Sequence, residues 1–320
     1  MNLNSAIRSL FLLLLLQFIF FSCTKEENPV QQSQTDYNGP YGTVIGKFTA
    51  ANGDGLAGVE VSIVSNYTNL TKVTTNNNGE YTHPGVPVGD QVIKGIKGNF
   101  SATVNVTVTE GQTTNALVVI LLPVGKLGFV YGVFDDIQSI IRELGYSPDS
   151  LTTDDLKNPN EVNFNNYSAI FLNCGMYELD DQALINNLIN FVSAGGLIYA
   201  SDWASYYVEK MFPGKISFLR EGDEQVITAT IVDETTRNNI GKTTIQINYD
   251  LSVWAEIDSV NNEFVVLIRG DYNSSGVLKT NMPLAVYKTE GQGLVVYTTF
   301  HNEANVTSDM QLLLEEFIFF

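Results

Sequence analysis

Cysteine and histidine are both scarce in this chain of 320 residues, which contains two of each: Cys23, Cys174, His83 and His301. Structural zinc sites use four clustered ligands, usually Cys and His at short spacings, and the sequence has no such cluster. No glycine-rich segment has the spacing of a phosphate-binding or dinucleotide-binding loop. The sequence therefore predicts neither a metal centre nor a bound cofactor.

Basic side chains are also few. Lys and Arg number 17 against 35 Asp and Glu, which gives a formal net charge of −18 at pH 7. Nucleic-acid binding depends on the neutralisation of phosphates by Lys and Arg, so this balance argues against a nucleic-acid partner. It suits a soluble body that is repelled by an anionic surface.

The apolar segment at the start of the chain is too short to cross a membrane. It runs from Leu10 to Leu16 and again from Phe18 to Phe21, behind a single positive charge at Arg8. A spanning helix needs about 20 apolar residues. A basic start, a short apolar core and a small residue before the cleavage point are typical of a secretory signal. Residues 1–22 are therefore predicted to be a signal peptide.

The residues around Cys23 sharpen this prediction. Phe20-Phe21-Ser22-Cys23 resembles the lipid-attachment box of bacterial lipoproteins of the Bacteroidetes type, and Lys25-Glu26-Glu27 resembles the tag that sends such lipoproteins to the outer surface. The resemblance implies a lipidated Cys23, a flexible tether over residues 23–40, and a cell-envelope protein held at the outer membrane and exposed at its surface. The alternative is an ordinary signal peptide that contains a cysteine.

Residues 41–123 have the pattern of an all-β domain. Val59, Val61 and Ile63 alternate with polar neighbours, and Asn52-Gly53-Asp54-Gly55 marks a tight turn between strands. About seven short strands at this spacing predict a small β-sandwich.

Four motifs in this region resemble those of the carboxypeptidase regulatory-like (Cna-B-type) domain: Gly46-Lys47, Gly55-Leu56-Ala57-Gly58-Val59, Thr74-Thr75-Asn76-Asn77-Asn78-Gly79-Glu80-Tyr81 and Val86-Pro87-Val88-Gly89. The resemblance implies a seven-stranded type of sandwich that acts as a spacer or an interaction module.

Residues 124–320 follow a different pattern, in which short apolar strands alternate with amphipathic helices. Lys126 to Tyr131 is one such strand, and Asp180 to Ala194 is one such helix. This alternation predicts a doubly wound, mainly parallel α/β domain. Gln225 to Val232 and Thr243 to Ile247 depart from it and predict a β insertion.

Two segments of this second region resemble the class I glutamine-amidotransferase-like superfamily, including its trehalose-utilisation-like relatives. They are the runs from Ala194 to Asp202 and from Gly291 to Glu303. The resemblance implies a cysteine nucleophile on a strained turn and a later His-x-Glu pair. His301-x-Glu303 has that spacing, whereas the turn offers Ser201, Asp202 and Trp203, has no cysteine, and lacks the small-residue setting of a tight elbow. The domain is therefore predicted to be a degenerate member.

Cys174 is an alternative nucleophile. It follows the strand Ala169 to Asn173 and could approach His301, because the ends of neighbouring parallel strands lie close together. A nucleophile, a base and an orienting acid would then be Cys174, His301 and Glu303. The competing interpretation is a small buried side chain at the end of a strand.

Further side chains are predicted at the same strand ends. Asp135 follows the first strand and could bind a ligand or, with Asp136, cap a helix. Asp202 and Trp203 would lie on the same rim, where an exposed Trp could stack on a sugar; Trp203 could equally pack the helix against the sheet.

The sequence leads to a functional hypothesis with two alternatives. The hypothesis is a non-enzymatic surface lipoprotein, whose α/β domain binds a glycan or an envelope protein through Asp135, Asp202, Trp203, His301 and Glu303. One alternative is a thiol hydrolase that uses Cys174, and the other is a structural subunit of an envelope uptake or gliding complex.

Overall fold

A computed structural model describes residues 35–158, 162–178, 180–302 and 305–320. The predicted signal peptide, Cys23 and Glu303 lie outside these residues. The chain divides into two compact units, and the larger comprises residues 37–65 and 69–320. In the smaller unit the described residues are 35, 36 and 66–68, where Thr35 bridges Tyr67 in parallel. Everything that follows concerns the larger unit.

The first part of this unit consists of two sheets, with strand orders β4-β1-β7 and β3-β2-β5-β6-β8. Val44 and Phe48 from the first sheet and Ile93 and Phe100 from the second are fully buried, as the alternating pattern predicts. Gly95 is needed where the sheets approach each other, since a Cβ there would lie 2.7 Å from the Phe48 ring. The strands are β1 (Tyr41–Thr49), β2 (Glu60–Ile63), β3 (Val73–Thr74), β4 (Glu80–Pro87), β5 (Gly89–Lys97), β6 (Phe100–Val108), β7 (Thr113–Ile120) and β8 (Leu122–Pro123).

The second part is built on an eleven-stranded sheet. Five strands, in the order β10-β9-β11-β12-β19, pair in parallel. They are β9 (Lys126–Val130), β10 (Asp149–Leu151), β11 (Tyr167–Leu172), β12 (Leu197–Ser201) and β19 (Gly293–Thr298).

The other six strands pair antiparallel, beginning where β18 joins β19. The sheet is therefore mixed, and the prediction of a mainly parallel sheet is wrong. The cause is the short connections: β17 and β18 are joined through Ser275 and Gly276, both at positive φ, a backbone that suits a tight hairpin and leaves no room for a crossover helix. The strands are β13 (Ile216–Gly222), β14 (Gln225–Ile231), β15 (Thr244–Tyr249), β16 (Trp254–Val260), β17 (Val265–Ser274) and β18 (Val277–Glu290). The strands β14 and β15 confirm the β insertion.

Helices cover both faces of the parallel part of the sheet. Along β11, Phe171 belongs to one buried cluster, whereas Ile170 and Leu172 belong to a second, which is the period-two alternation of a strand. The helices are α1 (Ile137–Glu143), α2 (Thr153–Lys157), α3 (Gln182–Ser193), α4 (Ser205–Met211), α5 (Glu234–Ile240) and α6 (Ser308–Ile318). Among the described residues, no helix combines the length and the apolar character required to cross a membrane.

A buried ion pair links the two parts. Lys97 Nζ at the end of β5 lies 2.6 Å from Glu316 Oε2 in α6, and their side chains are 7% and 8% exposed. Lys97 also donates to the carbonyl of Ala57 at 2.7 Å, and Asn239 donates to Glu316 Oε1 at 2.6 Å. Both parts belong to one compact unit, so the structure does not separate them at residues 123 and 124. The domain division there stays a prediction.

Candidate functional site

Four polar side chains from separate loops meet at the carboxyl ends of the parallel strands. Asp135 follows β9, Cys174 follows β11, Asp202 follows β12, and His301 follows β19. Parallel strands end at one edge of a sheet, so residues far apart in sequence are brought together there. All four side chains are buried.

Asp202 occupies the sharp turn between β12 and the following helical segment. Its φ is +43°, a left-handed conformation that Asp tolerates better than most residues. Asp202 Oδ1 accepts a 2.5 Å hydrogen bond from the backbone amide of Ala255, and Tyr297 donates to the Asp202 carbonyl at 3.0 Å. Asp202 thus adopts the backbone of a sharp turn, with the small residues Ser201 and Ala204 buried beside it.

Cys174 lies against Asp202 and not at the surface. Its Sγ is 3.3 Å from Asp202 Oδ2, and the residue is 2% exposed. Burial, together with the charges of Asp202 and Asp135, raises the pKa of the Cys174 thiol far above its ordinary value. Such a thiol is a poor nucleophile, because the thiolate is the reactive form.

His301 Nδ1 lies 3.3 Å from the same oxygen, Asp202 Oδ2. Burial opposes the charged imidazolium, but the hydrogen bond and charge of Asp202, supported by the charge of Asp135, raise the pKa of His301 to about 9. The donor atoms of Cys174, Asp202 and His301 all lie within 4.8 Å of one another. Sequence reasoning raised the approach of Cys174 to His301 as an alternative, but it did not predict that a carboxylate contacts both.

Asp135 holds three loops together. Its Oδ2 accepts hydrogen bonds from the Ser201 hydroxyl and, at 3.5 Å, from the Cys174 amide, while Oδ1 accepts from the Asn302 amide at 3.0 Å. Burial raises the pKa of the Asp135 carboxyl, against the opposing charge of His301. Asp136 is the N-cap residue of α1, as the helix-cap alternative expected, but its side chain makes no cap hydrogen bond, and the Asp135 side chain is directed to other loops.

Trp203 is half-buried on the rim. Its Nε1 donates to the Val253 carbonyl at 2.9 Å, and the Arg220 guanidinium lies over the ring, 4.7 Å from its centroid. Phe134 contacts it edge-on at 6.4 Å. The Arg220 guanidinium therefore covers the ring for which sugar stacking was predicted, and both interpretations of Trp203 stay predictions. Glu303 lies outside the described residues, so its pairing with His301 stays a prediction.

A shallow pocket of about 460 Å³ opens beside this cluster. Tyr131, Val133, Thr152 and Tyr177 line it, and so does Gly175, the residue after Cys174. The tyrosines are 64% and 73% exposed. We call Tyr131, Val133 and Tyr177 the strand-end rim. Sequence reasoning missed these residues, although Tyr131 ends one predicted strand and Tyr177 lies shortly after another, which was a readable signal.

The comparisons with known proteins identify neither a family nor an activity for this chain. No family model matches the sequence, and no curated protein matches it. Similar solved structures include a ThuA-like protein from Bacteroides uniformis (13% identity, 61% of this chain and 89% of that chain, TM-score 0.47). They also include a GMP synthase subunit from Thermoplasma acidophilum (14%, 61% and 92%, 0.44) and a glutamine amidotransferase from Thermotoga maritima (14%, 55% and 75%, 0.38).

Proposed function

We propose that the protein is a non-enzymatic surface lipoprotein whose α/β part binds a glycan through the ends of its parallel strands. The observation that carries the non-enzymatic proposal is the position of Cys174, whose sulfur is buried against the carboxylate of Asp202. A nucleophile must reach its substrate, and a neighbouring base must take its proton. Here the turn that would present a nucleophile carries Asp202 instead.

The binding proposal is supported by the strand-end rim. Carboxyl ends of parallel strands are the usual ligand-binding edge of an α/β sheet. Exposed tyrosines combine an apolar ring with a hydrogen-bonding hydroxyl, which fits the apolar faces and hydroxyl groups of sugars. In this proposal the buried Asp135, Asp202 and His301 hold the loops, and Tyr131 and Tyr177 contact the ligand. An envelope protein at the same rim is the alternative outcome of the test.

The test is a glycan-array measurement with the purified protein, followed by titration calorimetry on the best ligand. We expect Tyr131→Ala and Tyr177→Ala each to weaken binding at least tenfold, with Tyr41→Ala, an exposed tyrosine at the start of β1, as the unaffected control. Equal binding by all four proteins would place the ligand elsewhere. Binding to envelope proteins but to no glycan would show that the ligand is a protein and not a glycan.

The anchor is proposed from the residues around Cys23. A diacyl or triacyl group supplies the two or more chains that stable attachment needs, so the protein would be tethered by lipid and extended by residues 23–40. Metabolic labelling with an alkyne fatty acid should modify the wild type and leave Cys23→Ser unlabelled. Labelling that persists in Cys23→Ser would show that Cys23 is not the lipid-attachment site. Surface exposure is measured separately, by protease treatment of intact cells.

A structural role in an envelope complex is the second candidate, and one observation favours it. Along β7, β8 and the next residues, Val118, Ile120, Leu122 and Val124 are exposed at alternate positions. Contiguous exposed apolar side chains are typical of interaction surfaces. Val118→Asp with Leu122→Asp should abolish co-purification with an envelope complex and spare glycan binding; unchanged co-purification would exclude this surface.

A further inference from the structure

The cluster of Cys174, Asp202 and His301 contains three different metal-ligand types. A thiol sulfur, a carboxylate oxygen and an imidazole nitrogen lie within 4.8 Å of one another. We propose that these three side chains bind one Zn²⁺ ion, which fixes the ends of β11, β12 and β19 together. This inference is independent of what the strand-end rim binds.

The separations of the donor atoms fit a tetrahedral ion. Asp202 Oδ2 is 3.3 Å from Cys174 Sγ and 3.3 Å from His301 Nδ1. Zinc bonds of about 2.0 to 2.3 Å place the ligand atoms of a tetrahedral site roughly 3.3 to 3.8 Å apart. The third separation, from Cys174 Sγ to the His301 ring, is within 4.8 Å, so these two groups move closer together when the ion binds.

Charge also fits zinc. A thiolate and a carboxylate carry two negative charges, and a neutral imidazole carries none, so the divalent ion cancels the charge of its ligands. Buried charges are costly unless they are paired or bound to a metal. The proton of the thiol and that of the imidazolium leave to solvent when the ion binds, because coordination deprotonates both ligands. Mixed sulfur, nitrogen and oxygen ligands are those that zinc accepts.

The surroundings hold the ligands in place. The Ala255 amide orients the Asp202 carboxylate, and Ser201 donates to the neighbouring Asp135. Outer contacts of this kind set the orientation of metal ligands. Asp135 is not part of the converging group, and its carboxylate oxygens accept hydrogen bonds from Ser201 and Asn302, so water would take the fourth position. Gly175, the residue after Cys174, lines the strand-end pocket.

The competing arrangement is a hydrogen-bonded cluster without a metal. In that arrangement the Cys174 thiol donates to Asp202, and a protonated His301 forms an ion pair with it. The two arrangements predict different metal contents. The two cysteines of the chain provide a matched pair of variants: Cys174→Ser removes a ligand, whereas Cys23→Ser changes a cysteine far from the cluster in sequence.

The experiment measures zinc in the purified full chain by mass spectrometry, then replaces it with Co²⁺ after chelator treatment. We expect about one equivalent of metal and a thiolate-to-cobalt charge-transfer band, both kept in Cys23→Ser. Cys174→Ser should lose the band. It should also lose more affinity than the roughly 10- to 100-fold that removal of an outer contact costs.

A second variant keeps the proposal testable if Cys174→Ser does not fold. Asp202→Asn retains a side chain that tolerates the left-handed backbone but removes the carboxylate, so it should fold and bind metal weakly. The exposed Asp136→Asn is its control and should bind normally. Metal that remains bound in Cys174→Ser or Asp202→Asn as in the wild type, or a wild type that binds none at micromolar Co²⁺, would overturn the site.

Discussion

The two histidines, one in the first two sheets and one at the ends of the parallel strands, are both buried but differ in their neighbours. His83 in β4 has its Nε2 2.9 Å from the Thr71 carbonyl, and burial lowers the pKa of His83 despite that contact. The pKa of His301 is raised to about 9 because Asp202 and Asp135 outweigh its burial. Burial alone therefore does not fix the charge of a histidine; the nearest oxygen atoms decide it.

The largest effect is expected for the reactivity of Cys174, which lies beside the same carboxylate as His301. In a chelator-treated Cys23→Ser chain, we expect Cys174 to react with a disulfide reagent roughly a thousandfold more slowly in the native state than in urea. The reason is that only opened molecules expose the sulfur, and these are rare. Native reaction at the rate of a free thiol would contradict the buried site and revive the thiol-hydrolase alternative.

The next effect is the loss of the Asp202 carboxylate. Asp202→Ala should lower the free energy of unfolding by about 5 kcal/mol, because it leaves a buried His301 without its counter-charge and puts Ala at a left-handed φ. Urea denaturation of the chelator-treated protein measures this. Asp136→Ala, at an exposed neighbouring acid, should change stability by less than about 0.5 kcal/mol. Equal values for the two variants would show that the cluster is not held by its charges.

A third test moves to the ion pair between the two regions. Lys97→Ala should cost about 3 kcal/mol, because it leaves Glu316 buried without a partner. The double variant Lys97→Met with Glu316→Leu should recover most of that loss, since no charge is left unpaired. The matched control is Lys72→Ala, which breaks the exposed pair with Glu60 and should cost under about 1 kcal/mol. A large loss in the control, or no recovery in the double variant, would argue against burial as the cause.

The smallest expected effect is the pH response of His83. Because the pKa of His83 is lowered on folding, the unfolded chain binds the proton more readily, and stability falls as the pH drops below about 6.5. His83→Gln cannot titrate, so its loss of stability between pH 7.5 and 5.5 should be smaller than that of the wild type. Urea midpoints at both pH values measure this, and identical losses would mean that His83 titrates normally.

Much of the local structure could be read from the sequence. The spacing of Leu184, Leu188 and Val192 predicts α3, and Asp181 caps it by accepting from the Ala183 amide at 2.8 Å. Alternation predicts the strands around Val61 and Ile93. These features depend on neighbours a few residues apart, which the sequence displays directly.

The candidate site was predicted only in part. The approach of Cys174 to His301 was raised as an alternative because both follow strands of one sheet. The position of Asp202 between them, and the role of Asp135 across three loops, depend on side-chain directions that no spacing reveals. The same holds for the rim residues Tyr131 and Tyr177, whose exposure depends on where the pocket opens.

The sequence by itself determined the periods of strands and helices, the acidic balance, the scarcity of thiols and imidazoles, and the motifs on which the lipoprotein proposal rests. The tertiary structure decided that six strands pair antiparallel beside five parallel ones, that Lys97 meets Glu316, and that a thiol and an imidazole share one carboxylate oxygen. The physical reason is the distance along the chain over which each kind of interaction acts. Periodicity and turn chemistry act between neighbours along the chain, whereas burial, pairing and pKa depend on atoms that only the completed sheet brings within a few ångströms.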